Sequence, residues 1–224
     1  MKSVLDGKKV LITAGPTREY LDPVRYLTNE SSGKMGYAIA RELINRKAEV
    51  FLISGAVTIS KESIPNVVTV NSAIEMLAAC KGFFREVDIA IFAAAVADYR
   101  PKVFHEQKIK KSDQVTTMEF IKNPDIASEF GKVKSGKQLS FGFALETTAM
   151  TENASKKMIE KNFDAIVINS PGKDEGFGHD TNRISVLAKD HNLKTYPLKS
   201  KIDLAVDIVN EIELSWIQKM SRKE

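Results

Sequence analysis

The sequence predicts a Rossmann-like α/β fold: a doubly wound, mostly parallel sheet with one projecting antiparallel hairpin. Three observations predict it. Short apolar runs alternate with helical patterns along most of the chain, the order of β-α-β units joined by right-handed crossovers. One run, residues 88–96, is apolar almost throughout, as a strand covered on both faces should be. A charged stretch between Tyr99 and Lys122 then interrupts the alternation without apolar residues for a core of its own.

The elements follow in order. Lys9–Ala14 reads as the first strand, and residues 15–32 as a polar loop without apolar periodicity. A helix over residues 33–47 places Met35, Ala38, Ile39, Leu43 and Ile44 on a common face. Residues 49–53 form a second strand, 73–86 a second helix and 88–96 a third strand. Asn123 serves as N-cap and Pro124 as first residue of the next helix. Strand 139–144, helix 149–162 and strand Ala165–Asn169 follow. The projecting hairpin has arms 107–111 and 115–121 around Ser112-Asp113-Gln114. It is too polar to pack alone, so it should meet a ligand or a second subunit. Residues 183–188 and 194–197 form a second hairpin around Asp190-His191-Asn192, and helix 201–216 closes the fold. With no internal repeat or linker, residues 1–224 are expected to form a single domain.

Composition narrows the function. The 224 residues are enough for a proper core, and the net charge of +4 is mild. Basic residues are not interleaved with aromatic ones, so extended nucleic-acid binding is not expected. No apolar run approaches the ~20 residues of a membrane helix, and the first residues lack a signal-peptide layout. The single cysteine, Cys80, excludes an internal disulfide and suits a reducing, cytoplasmic setting. It lies in an apolar stretch and reads as a buried core thiol.

The most informative stretch is the loop after the first strand, which ends in Ser31-Ser32-Gly33-Lys34-Met35-Gly36 where a helix begins. A strand, a small-residue loop and a helix N-terminus together present N–H groups and a dipole to an anion. The spacing is not that of a Walker loop, because Thr28 stands where the first glycine belongs and Met35 follows Lys34. Nor is it the dinucleotide fingerprint, since only Gly15 sits tightly behind the strand. An ordinary Ser-Gly helix cap is the alternative reading. Ligands of open sheets bind beyond the carboxyl ends of strands. There Ala93, Ala94 and Ala95 permit close backbone approach, and Asp98 supplies an acceptor. Lys108 and Lys110 share one face of a basic strand and Lys111 the other. Lys157 and Lys161, four apart on a helix, could converge on one anion or face water. The amide of Asn29 can both donate and accept. His105, His179 and His191 have no ligand-like spacing, and no catalytic triad, Cys-His pair or protein metal cage is evident.

Taken together, these segments resemble phosphopantothenoylcysteine synthetase, the ligase family of coenzyme A biosynthesis. The resemblance runs from about Gly7 to Trp216. It rests on Ile12-Thr13-Ala14-Gly15-Pro16-Thr17 with Asp22-Pro23-Val24-Arg25, then residues 29–36, 93–100 and 108–111. Asn123-Pro124-Asp125-Ile126 and Gly142-Phe143-Ala144-Leu145-Glu146-Thr147 extend it. It is most similar to the bacterial form found as the C-terminal half of a bifunctional protein, behind a flavin-dependent decarboxylase. That half is not in this chain, so either a stand-alone enzyme or an excised domain is expected, with a fused or separate decarboxylase as partner.

The resemblance implies a chemistry. CTP activates the carboxylate of 4'-phosphopantothenate to an acyl-cytidylate with release of pyrophosphate, and the amine of L-cysteine then displaces CMP. It implies that Ser31, Gly33 and Gly36 cradle phosphates with Gly15, and that Lys108 assists pyrophosphate departure. Asn29 orients the acyl carbonyl. Ala94, Ala95 and Asp98 meet the pantothenate arm, and Arg25 contacts substrate across a homodimer interface that the Lys108 hairpin helps complete. Phe92, Ala93, Ala94, Asp98, Pro124, Asp125, Ile126, Ala127, Phe143, Lys157 and Lys161 match CTP-binding positions. Mg2+ is implied as well, held mainly through phosphates, with no protein ligand assigned. Two rivals remain at this stage. One is a non-catalytic nucleotide-binding module. The other is an NAD(P)-dependent reductase, which would want an acidic residue where this chain has Ile53-Ser54-Gly55.

Overall fold

A computed structural model describes residues 2–110, 115–145, 149–169, 178–190 and 192–221. In chain order these form β1 (Lys9–Ala14), β2 (Arg18–Tyr20), β3 (Tyr26–Thr28), α1 (Lys34–Asn45), β4 (Glu49–Ser54), β5 (Asn66–Thr69) and α2 (Ala73–Lys81). There follow β6 (Ile89–Phe92), β7 (Tyr99–Pro101), β8 (Phe120–Lys122), α3 (Ile126–Val133), β9 (Leu139–Leu145) and α4 (Met150–Glu160). The last elements are β10 (Ala165–Asn169), β11 (Thr181–Ala188), β12 (Leu193–Ser200) and α5 (Lys201–Ser221).

Eight strands make one sheet in the order β12-β11-β10-β9-β6-β1-β4-β5. Pairing is parallel from β10 to β5. It is antiparallel where β11 and β12 extend the other edge. Alternation along β1 sorts the core. Val10, Ile12 and Ala14 join the cluster that includes Tyr37 and Leu43 of α1 and Leu204 and Ile208 of α5. Leu11 joins the cluster of Met76 and Cys80 of α2, Phe130 of α3 and Met158 of α4. Helices therefore cover both faces, which is why β6 reads Ile-Ala-Ile-Phe with no polar residue. Burial pushes the Cys80 thiol up to about 12.

The strand order fixes where a ligand can enter. From β1 the chain builds outward through β4 and β5, then returns to place β6, β9 and β10 on the other side. Connections leave the carboxyl ends of β1 and β6 in opposite directions, and a crevice opens between them.

Several expectations are corrected. The loop after β1 is not structureless: β2 and β3 pair antiparallel. Their ribbon is faced by the Tyr20 and Tyr26 rings, with centroids 5.2 Å apart, and the Arg18 guanidinium lies 4.7 Å from the Tyr26 ring. Aromatic and cation–π contacts hold it, and neither requires apolar alternation. The strand expected over 88–96 is regular only to Phe92. The short edge strand β5 was not foreseen. The projecting hairpin pairs at its base, Tyr99–Pro101 with Phe120–Lys122, rather than along residues 107–110. Residues 111–114, including Lys111, lie outside the described residues. Asp125, not Asn123, caps α3, accepting from the Ser128 N–H at 3.0 Å, so Pro124 precedes the helix. Asn123 instead donates to the Ala97 carbonyl at 2.8 Å. The C-terminal hairpin and α5 are longer than expected; α5 continues past Trp216 because Lys219 reaches the Asp164 carboxylate at 2.8 Å.

Candidate functional site

The crevice is lined by the segments that leave β1 and β6. Beyond Phe92 the ladder becomes an irregular ribbon held by β1 and its extension. Ala93 N–H donates to the Thr13 carbonyl at 3.1 Å and Ala95 N–H to the Gly15 carbonyl at 3.0 Å. The Thr13 and Thr17 hydroxyls, both buried, accept from Ala94 N–H at 3.3 Å and Ala97 N–H at 3.0 Å. With methyl groups alone, the alanines leave space in front of this ribbon.

Two cavities occupy that space. The first, of about 590 Å3, lies between the ribbon and α3; its apolar lining includes Phe92, Pro124, Ile126, Ala127, Phe143 and Phe163. Asp98, Asn123, Asp125 and Lys161 give it polar groups, and Lys161 pairs with Asp125 at 2.8 Å. The second, of about 490 Å3, is lined by residues 29–36 and 93–96 and by Lys157 and Lys201. Ala94, Val96, Asp98 and Phe143 border both. The first thus offers aromatic side chains to a flat ring, and the second offers lysines and a helix N-terminus to an anion.

The anion-facing loop depends on two glycines. Gly33 sits at φ 76° as N-cap of α1, and a Cβ there would lie 2.8 Å from Val57 Cγ1 and 3.2 Å from Gly15 Cα. Gly36 brings the first turn of α1 against β1; a Cβ would lie 2.6 Å from Ala14 Cβ. No side chain caps α1, so its first N–H groups and dipole are available to a ligand. Asn29 stands at the shared wall, donating from Nδ2 to the Val96 carbonyl at 3.1 Å. Since an amide nitrogen carries two hydrogens, a second donor remains.

The crevice gathers most of the expected residues. Asn29, Ser31, Gly33, Gly36, Ala93, Ala95 and Lys157 border the second cavity. Phe92, Pro124, Asp125, Ile126, Ala127 and Lys161 border the first, while Ala94, Asp98 and Phe143 border both. Lys157 and Lys161, which could share one anion or face water, are divided between the two: Lys157 borders the second cavity and Lys161 the first. Gly15 borders neither; it packs behind Gly33 and its carbonyl takes Ala95. Arg25 and Lys108 also lie outside both cavities.

Arg25 and Lys108 are joined through Asp22. This fully buried carboxylate accepts from Val24 and Arg25 N–H groups at 2.8 Å and from Ile109 N–H at 3.1 Å. Arg25 adds Nε at 2.9 Å and Nη2 at 2.5 Å, and Nη2 also donates to the Ile109 carbonyl at 2.6 Å. Burial alone would raise the Asp22 carboxyl, but Arg25 and the three N–H groups outweigh it and hold it well below the usual carboxylate range. The clasp fixes the chain immediately beside Lys108.

Sequence reasoning missed Thr13, Tyr99, Lys122, Asn169, Asn182 and Lys201 as lining residues. Asn169 could have been found, since it ends strand β10 on the ligand side of the sheet. Among the described residues, no group of three or more His, Cys, Asp or Glu side chains could hold a metal, and no helix is long and apolar enough to cross a membrane.

The chain is similar to known proteins along most of its length. The coenzyme A biosynthesis bifunctional protein CoaBC of Bacillus subtilis (strain 168) is 42% identical over 210 residues, 93% of this chain and 52% of that protein. A cysteine/cysteine sulfinic acid decarboxylase of an unknown prokaryotic organism is 47% identical over 212 residues, 93% of this chain and 58% of that protein. The chain therefore spans only about half the length of these curated relatives. The crystal structure of the C-terminal domain of CoaBC superposes with a TM-score of 0.80 at 41% identity, covering 98% of each chain. The family model for the DNA/pantothenate metabolism flavoprotein C-terminal domain matches residues 5–215, and the chain belongs to that family.

Proposed function

We propose that this chain is a phosphopantothenoylcysteine synthetase, joining 4'-phosphopantothenate to L-cysteine at the expense of CTP. The observation that carries this reading is the pair of cavities meeting at Ala94, Val96, Asp98 and Phe143. A nucleotide and an acyl substrate must meet at one phosphorus atom, and two compartments with a shared wall bring them there. The base and ribose take the first cavity and the phosphates reach the loop at residues 31–36.

In the first step a carboxylate oxygen of 4'-phosphopantothenate attacks the α-phosphorus, forming an acyl-cytidylate as the bond to the β-phosphate breaks. Fixed N–H donors at the α1 N-terminus stabilise the charge that collects on departing pyrophosphate. In the second step the cysteine amine attacks the acyl carbon, CMP leaves and an amide forms. Asn29 donates to the acyl oxygen as it becomes an oxyanion. Magnesium fits the oxygen donors here; Asp98 would hold it together with the phosphates, and it would offset charge on the triphosphate. Lys108, outside both cavities of its own chain, is assigned to a second copy in a homodimer. The exposed apolar residues Val103, Phe104, Val115 and Phe120 around it support a covering partner. A cytoplasmic setting suits these substrates.

Against a nicotinamide reductase, β4 ends in Ser54, whose hydroxyl is taken by Tyr37 at 2.8 Å, with no carboxylate for a ribose. The test is direct. With CTP, 4'-phosphopantothenate and cysteine, the protein should release pyrophosphate and yield phosphopantothenoylcysteine by mass spectrometry. Absence of both products, or hydride transfer from NADPH, would overturn the reading.

A further inference from the structure

Asn29 is held by more than its own side chain. It follows directly on Thr28, the last residue of β3, whose ladder partner is Arg18 of β2. A two-stranded hairpin with three residues in each strand is marginal by itself. Its aromatic contact, Tyr20 against Tyr26, lies at the closed end, whereas Asn29 leaves from the open end. There the Thr28 hydroxyl donates to the Thr17 carbonyl at 2.6 Å, one tie beyond the last ladder pair.

Thr17 carries that tie to the wall of the site. It is fully buried; its N–H donates to the Ala95 carbonyl at 3.3 Å, and its hydroxyl accepts from Ala97 N–H at 3.0 Å. Asn29 Nδ2 meets the carbonyl of Val96, between these two residues, at 3.1 Å. Both ends of Asn29 are thus referred to one segment, residues 95–97. The side chain reaches it directly, and the backbone through Thr28 and Thr17. A side-chain contact alone leaves the amide free to pivot about it, and catalysis by a donor depends on fixed distance and angle.

We infer that Thr28 is a positioning residue for the second step: its hydroxyl holds the backbone from which Asn29 aims its second amide N–H at the acyl oxygen. Thr28 borders neither cavity, so it acts through Asn29 and not on a ligand. Its branched Cβ restricts the side chain to few rotamers and keeps the hydroxyl aimed. The assignment rests on the synthetase reading and adds a residue to it.

Thr28→Val and Thr28→Ser, compared with wild type, test it. Pyrophosphate released in one turnover without cysteine reports the first step, and amide formation after cysteine is added reports the second. Loss of one neutral hydrogen bond predicts that Thr28→Val slows the second step roughly 3- to 10-fold. The first step and the KM for CTP should stay as in wild type, and acyl-cytidylate should build up in the quenched complex by mass spectrometry. Thr28→Ser keeps the donor and should recover most of the rate. Unchanged turnover by Thr28→Val overturns the assignment, as does equal slowing of both steps or a Thr28→Ser variant as slow as Thr28→Val. Should Thr28→Val fail to fold, Thr28→Ala takes its place; failure of both makes Thr28 a folding residue and rejects the positioning role. Wild type keeps the two readings separable: absence of phosphopantothenoylcysteine overturns the synthetase reading, whereas wild-type turnover with no Thr28 effect rejects only the tie.

Discussion

Asn29 and Lys108, the two residues assigned to the chemistry, stand in regions built by opposite means. Asn29 leans on the ribbon beyond β6, which buried Thr13 and Thr17 and the backbone of β1 hold from behind. Lys108 sits on an exposed segment hung from the turn at residues 21–25. His105 N–H donates to the Leu21 carbonyl at 2.9 Å, and Ile109 is clasped by Asp22 and Arg25. One region is specified by the core of its own sheet; the other by a few polar contacts at the surface. The first should therefore fail through packing, the second through loss of a clasp or of a covering partner.

The comparison can be broken most sharply at Lys108. Lys108→Gln removes the charge and touches no core, so pyrophosphate release should fall by ~10³ or more while thermal unfolding stays as in wild type. Release at near wild-type rate would reduce Lys108 to a solvated surface residue. Asn29→Asp keeps the size but loses the donor and adds a negative charge. The second step should slow ~10²–10³, and acyl-cytidylate should accumulate, visible in the quenched complex by mass spectrometry. Equal loss of both steps would remove the role given to Asn29. Gly36→Ala probes the packed region, because its new Cβ would collide with Ala14. Overpacking predicts a loss of about 1–3 kcal/mol, seen as a lower urea midpoint with unchanged slope.

The smallest effect on activity belongs to the clasp. Asp22→Asn leaves Arg25 without its charge partner and weakens the hold on Ile109, so KM and kcat should shift modestly while the urea midpoint at neutral pH falls. Its pH dependence has a definite sign. The folded Asp22 carboxyl lies below its unfolded value of about 3.9, so its contribution is fully present above that value. It is lost as pH falls toward the folded value. The stability difference between wild type and Asp22→Asn should stay flat from about pH 8 to 5 and shrink below about 4. A difference that fades near neutrality would mean that the clasp is not ionic.

The same contrast explains what could be read from the sequence. Elements with buried faces were legible: β1, β10, the face of α1 and the placement of the site beyond β1 and β6 all follow from apolar patterning. Lys108–Lys110 looked like a strand because its charges alternate, yet alternation predicts a strand only where one face is buried. Asn123 and Asp125 are both good caps, and the choice fell to Asp125 because Asn123 is drawn to Ala97. Asn169, Asn182 and Lys201 line the second cavity from β10, β11 and α5, a meeting of residues far apart in the chain that no local pattern announces.

Cys80 acquires a further meaning if the second substrate is a free aminothiol. Thiol–disulfide exchange requires a thiolate with access to solvent. The Cys80 sulfur is fully enclosed and its ionisation is pushed to about 12, so it offers no such thiolate. With such a substrate, the chain would present no accessible thiol of its own among the described residues to be captured as a mixed disulfide. Mild thiol oxidation would then convert the substrate to a disulfide without trapping it on the chain.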